Sequence, residues 1–164
     1  MKQDGFSLIE LTVVLGIISI LLTVATLSYN DWQVKYNVEK QTKELVADFN
    51  SLRIKAVYSK TVHRAEISTE EIVFKRSGSE TDETFDEDDN VIVERKALRY
   101  KLKNEDGSEF SPTNIDFDSR GFTTNLGATI RIDSPKNNAA FDCVIIAVGR
   151  TNMGKIENEA CVPK

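Results

Sequence analysis

Glu10 is a carboxylate at the head of an apolar run, and its place relative to Gly5 and Phe6 defines the first chemistry this sequence offers. A charge inside a membrane costs roughly 2.5–3.5 kcal/mol on insertion scales, so a helix that carries one calls for a partner. A cut after Gly5 supplies it. The cut frees an α-amino group on Phe6, one helical turn from Glu10.

The element that must position these groups is a membrane helix. Residues 11–30 carry no charged side chain, enough for a bilayer crossing of about 20 residues. In a secretory signal the apolar run precedes a small-residue cleavage site and is discarded with it. Here the order is reversed: Gly5 comes first, behind the polar leader Met1-Lys2-Gln3-Asp4. The cut therefore leaves the apolar segment at the new N-terminus.

The run Gly5-Phe6-Ser7-Leu8-Ile9-Glu10-Leu11 resembles the prepilin processing motif of type IV pilins and type II secretion pseudopilins. The resemblance implies that a prepilin peptidase cuts after Gly5 and N-methylates Phe6, and that Glu10 sets filament assembly. The implied partners are other major and minor pilins or pseudopilins and an inner-membrane assembly platform. The implied location is the bacterial inner membrane, single-pass, with the C-terminal domain periplasmic, and then the pilus or pseudopilus. Two features depart from the usual pattern. Lys2 in the leader is offset by Asp4, so orientation rests on the motif more than on positive charge. Leu27 stands near where many pilins place a helix-breaking Pro, and the first Pro is Pro112, so a continuous helix is expected.

Beyond the membrane the helical period persists. Leu45, Phe49, Leu52 and Ala56 recur at three- and four-residue spacing, with Val38, Val46 and Val57 widening the stripe. One helix over residues 6–60 is the economical reading; a break near Tyr29-Asn30-Asp31, with Asn30 or Asp31 as N-cap, is the alternative. Tyr29 and Trp32 suit a membrane-surface aromatic belt or a neighbouring subunit. From His63 onward short alternating segments fall at residues 71–75, 91–103, 114–118, 128–133 and 141–148, divided by turn signals such as Asp106-Gly107 and Ser134-Pro135. The expected fold is α+β: a long N-terminal helix, transmembrane then amphipathic, packed on an antiparallel β-sandwich-like domain. The boundaries are a leader at 1–5, a transmembrane half at 6–28, an amphipathic half at 29–62 and a β domain at 63–164.

Cys143 and Cys161 form an even pair in a domain translocated out of the reducing cytosol, and read as a disulfide. With one distant histidine they do not make a zinc site. Gly149-Arg150-Thr151-Asn152-Met153-Gly154-Lys155-Ile156 nearly spells a phosphate-binding loop, but Ile156 replaces the metal-binding hydroxyl. Too little chain follows for the helix such a loop needs. A hairpin turn over Asn152-Met153-Gly154 is expected instead. Arg95, Arg99, Lys101 and Lys103 alternate along one predicted strand as a solvated basic row. Residues 80–90 are an acidic run without the glycine and spacing of a calcium loop, expected to be solvated and mobile.

Ile115-Asp116-Phe117-Asp118-Ser119-Arg120-Gly121-Phe122, then Cys143 to Arg150 and a final Cys161, are similar to the H-type minor pseudopilins and related minor pilins of type IV pili. One branch of that group binds DNA for natural transformation, through a second arginine two residues after the Gly-Arg. Here Asn152 stands there, leaving Arg150 with Lys155 across the predicted turn. Residues 61–164 hold fourteen Lys and Arg against twenty Asp and Glu, so bulk attraction to nucleic acid is not expected. A catalytic site is not expected either: His63 is the only histidine and is read as a surface residue, and no Ser or Cys sits in a nucleophile context. No cofactor or metal is implied. A structural filament subunit is the reading, with a DNA-uptake receptor as the alternative.

Overall fold

A computed structural model describes residues 7–78, 84–123, 128–135 and 139–164, with residues 24–28 described by backbone alone. Helix α1 (Leu8–Ser59) runs without a break through Tyr29, Asn30 and Asp31. No Pro interrupts it, and Lys60 ends it in the left-handed conformation at φ 57°. Ser7 is its N-cap, but its hydroxyl makes no capping bond.

Nine strands follow among the described residues: β1 (His63–Ile67), β2 (Glu71–Ser77), β3 (Asn90–Ala97), β4 (Leu102–Lys103), β5 (Thr113–Phe117), β6 (Ala128–Ile132), β7 (Cys143–Ile146), β8 (Thr151–Glu157) and β9 (Ala160–Pro163). They form two sheets, ordered β3-β2-β1-β5 and β4-β6-β7-β8-β9, and every pairing is antiparallel. The fold is therefore α+β. Ile67, Ile72, Phe74, Ile115 and Phe117 from the first sheet join Leu102, Ile130, Ile132, Val144 and Ile146 from the second in one continuous core. Val38, Leu45, Phe49, Leu52 and Ala56 complete it from α1, because three- and four-residue spacing puts them on one stripe of the helix.

Polar bonds fix the helix to the loops that connect the strands. Gln41 donates through Nε2 to the Tyr100 carbonyl and accepts from the Tyr100 N–H, both at 2.9 Å. Glu39 accepts from the Ala140 N–H at 2.8 Å. Arg53 donates through Nη1 to the carbonyls of Gly121 and Val148, at 2.7 and 3.0 Å, and lies over the Phe117 ring. Gly121 lies opposite this arginine at φ +83°, where an added Cβ would sit 2.8 Å from Val57 and 3.1 Å from Arg53. A side chain is excluded there by both the backbone and the space.

Three expectations change. The segment 91–103 is two strands, not one. It leaves the first sheet at Ala97 and joins the second at Leu102, and Tyr100 between them gives its backbone bonds to Gln41. The basic row is thereby divided: Arg95 belongs to β3 and Lys103 to β4. The expected turn at Asn152-Met153-Gly154 is the interior of β8, and the hairpin closes earlier, where Ala147 and Arg150 exchange backbone bonds.

Candidate functional site

Residues 8–23 of α1 are exposed on every side. Leu8, Ile9, Leu11, Val13, Val14, Leu15, Ile17, Ile18, Ile20, Leu21 and Leu22 are each at least 44% exposed. A helix that is apolar all round is stable only inside lipid or against other helices. Its hydroxyls suit such a medium, since they bond back to the helix: Thr12 to the Ile9 carbonyl at 2.9 Å, Ser19 to Leu15 at 2.7 Å and Thr23 to Ser19 at 2.9 Å. Glu10 stands exposed in the first turn, where the helix dipole favours an anion. Gly5 and Phe6 lie outside the described residues.

Among the described residues no helix is long and apolar enough to cross a membrane. The described side chains of the apolar run stop at residue 23, and residues 24–28 are described by backbone alone. Further on, Trp32 lies 6.2 Å from Tyr29 and 5.6 Å from Tyr36, centroid to centroid. All three rings are exposed, and they flank half-buried Val34, where packing on the core begins ahead of fully buried Val38. Rings of this kind, apolar in body and polar at one end, settle at a boundary between apolar and wet surroundings.

Cys143 on β7 and Cys161 on β9 form a disulfide, with Cα atoms 6.1 Å apart. It is buried with Ile156 and half-buried Ile145. Gly154, on the β8 strand between them, passes directly beneath the bridge: an added Cβ would lie 2.7 Å from the Cys161 sulfur and 3.1 Å from that of Cys143. The second glycine of the near-miss phosphate loop thus has a packing role. Asp142 beside this cluster is buried, and accepts from the Ile156 N–H at 2.7 Å. Burial pushes its carboxyl up, against that N–H and the nearby Lys155 and Arg131. Replacing both cysteines by serine is expected to lower stability by about 3 kcal/mol, given the eighteen-residue separation. Urea unfolding of the full chain in detergent, with and without reductant, measures it; a loss below about 1 kcal/mol would contradict the assignment of that role to the bridge.

Arg150 is exposed in the turn before β8, whereas Lys155 is half-buried near the far end of the same strand. The strand separates them, so they do not form one cationic site. His63 is buried rather than on the surface, with Nδ1 3.2 Å from the Thr61 carbonyl. Burial pushes its pKa down, the Thr61 carbonyl opposes this, and Arg76 and Lys55 lower it further. The described part of the acidic run is solvated at Glu87, Asp88 and Asp89, but it is tied to the sheet at two points. Phe85 is buried under the Arg64 guanidinium, 4.0 Å from its ring centroid, and Glu87 pairs with the same arginine. Sequence reasoning missed Arg64, which alternates within a short strand like any surface cation. Among the described residues no group of His, Cys, Asp and Glu is placed to hold a metal.

No curated protein and no solved structure matches the chain. Residues 1–26 match the prokaryotic N-terminal methylation motif, and the N-terminal segment of this chain is therefore type IV pilin-like.

Proposed function

We propose that the chain is a structural minor subunit of a type II secretion pseudopilus or a type IV pilus. The observation that carries this is the uncovered apolar half of α1, with Glu10 alone in its first turn and the methylation motif over residues 1–26. Apolar surface on this scale calls for lipid before assembly and neighbouring helices after it. In this reading a prepilin peptidase cuts after Gly5 and methylates the Phe6 amine. The apolar half of the helix crosses the inner membrane once, and the β domain lies in the periplasm. Glu10 then pairs with the Phe6 ammonium of a neighbouring subunit as the assembly platform adds the chain to the filament. The β domain selects the adjacent subunits.

The test is the mature N-terminus. The full chain is expressed with a prepilin peptidase, beside a Gly5→Ala variant, and the N-terminal peptide is read by mass spectrometry. N-methylated Phe6 in the parent and an intact leader in the variant are expected. An intact Met1 in both, or a cut beyond the apolar run, would sink the reading.

A further inference from the structure

The core face of the first sheet ends in a row that is not apolar. His63 on β1 lies opposite Arg76 on β2, and Arg76 lies opposite Val91 on β3. Residues two apart on a strand share a face, so this row continues the one that buries Ala65, Ile67, Ile72 and Phe74. Lys55 and Tyr58 from the last turns of α1 close over it, forming with Val91 and Val93 a groove of about 400 Å³. Among the described residues no carboxylate lines this groove, although the chain carries a net charge of −5. Neither Lys55 nor Arg76 forms an ion pair among the described residues. Asp48 and Glu94 line the recess on the other side of Lys55, where Asp48 is held by Lys96 at 2.6 Å.

His63 forms the inner end of the groove. Its ring is buried, and its Nδ1 stands 3.2 Å from the Thr61 carbonyl. A carbonyl only accepts, so Nδ1 carries the proton and Nε2 of the neutral ring keeps a lone pair. Nε2 makes no bond among the described residues and faces the groove that the ring lines. The groups around the ring are Lys55 and Tyr58 from α1, Arg76 from β2 and apolar Phe117 from β5. An anion in the groove neutralises the two cations, and it accepts from Nε2 once that nitrogen takes up a proton.

We propose that this groove is a docking site for a segment of a partner protein that sets a carboxylate beside an apolar side chain. The carboxylate bridges Arg76 and Lys55 and meets His63 Nε2, while the apolar side chain lies between Tyr58, Val91 and Val93. Charge complementarity selects the acid, and a guanidinium is well shaped to hold it. The walls select a segment over a small molecule. Tyr58 is 91% exposed, Val91 49% and Val93 44%, too open to enclose most of a ligand's surface as small-molecule sites do. β3 is the edge of its sheet, so a segment can cross it and continue beyond. A lipid headgroup is out of reach, because Lys55 stands thirty-two residues beyond Thr23, about 48 Å along α1 from the described apolar run. The site lies in the folded head and does not depend on the filament reading.

His63 is the single histidine of the chain, so its ring reports on the groove without ambiguity. The isotope-labelled full chain in uncharged detergent micelles is titrated with acetyl-Leu-Asp-amide at constant ionic strength, and the His63 ring nitrogens are followed by NMR. A saturable shift is expected, with the titration midpoint of the ring moved to higher pH. The neutral isostere acetyl-Leu-Asn-amide binds at least about tenfold more weakly, and Arg76→Gln weakens the acidic peptide to a similar degree, as loss of a charge-assisted hydrogen bond does. Lys55→Gln weakens it as well. Both residues are exposed, so these changes leave the core untouched. Arg95→Gln, on the opposite face of β3 across from Val73, leaves binding unchanged. Ring signals unmoved by the acidic peptide overturn the proposal. So does equal binding of the neutral peptide, or a loss in Arg95→Gln as large as in Arg76→Gln. Inorganic phosphate binding as tightly as the acidic peptide overturns the segment as occupant and leaves a small-anion site.

Discussion

The Glu10→Ala variant is expected to be cut after Gly5 as the parent is, yet to enter filaments about a hundredfold less well. The reasoning is electrostatic. In the function proposed above, the Phe6 ammonium freed by cleavage enters an apolar medium, and a lone charge there costs roughly 2.5–3.5 kcal/mol. A neighbour's carboxylate removes that cost, and each 1.4 kcal/mol is a factor of ten in the assembly equilibrium. Glu10 stands exposed in the first turn of α1, free to reach outward to another chain, and alanine keeps the helix intact. Comparing sheared filaments with the membrane fraction by immunoblot gives the ratio, and mass spectrometry of the N-terminus shows that processing is unaffected. Parental levels of the variant in the filament fraction would remove Glu10 from the account of assembly.

Arg64→Ala is expected to destabilise the head by about 3–5 kcal/mol, the usual effect of removing one partner from a buried ion pair. Arg64 on β1 and Asp116 on β5 are direct partners across the sheet. They are joined by Nε to Oδ1 at 2.6 Å and Nη2 to Oδ2 at 2.9 Å. The arginine side chain is 10% exposed and that of Asp116 15%, so solvent screens the pair little. The Asp116 bond holds the guanidinium pKa above its ordinary value despite burial, and Glu87 adds to this. Alanine leaves Asp116 without its counter-ion and Phe85 without its cover. Urea unfolding gives the loss. The double variant Arg64→Ala with Asp116→Ala should be less destabilised than the sum of the single changes, since the orphaned charge is then gone. A single-variant loss below about 1 kcal/mol would show the pair to be screened like a surface bridge.

The same residues show where sequence was sufficient. The long helix was legible because its signals are local: an uncharged run, then Val38, Leu45, Phe49, Leu52 and Ala56 at helical spacing, with no Pro among them. The strands β2, β5, β6 and β7 were legible from alternation. What escaped was set by contacts distant in sequence. Tyr100 leaves the ladder because Gln41, fifty-nine positions earlier, offers both halves of a backbone pair. Asn152-Met153-Gly154 has turn composition, yet its glycine serves the space under a disulfide. Arg64 and Phe85 make a covered pair only once the chain returns over the outer face of the sheet. The groups proposed for the candidate site were legible as a motif, since Gly5, Phe6 and Glu10 fall within six consecutive residues.

The bonds from Gln41, Glu39 and Arg53 to the loops of the β domain, on a helix without a hinge, have a mechanical consequence. The head cannot swivel on its stalk. Each residue of α1 advances the chain by about 1.5 Å and turns it by roughly 100°, so the number of residues between Glu10 and Gln41 fixes the compass bearing of the head relative to the N-terminal end of the helix. Torque or traction applied to the uncovered stalk arrives at the β domain as rotation or lift, as it would through a keyed shaft.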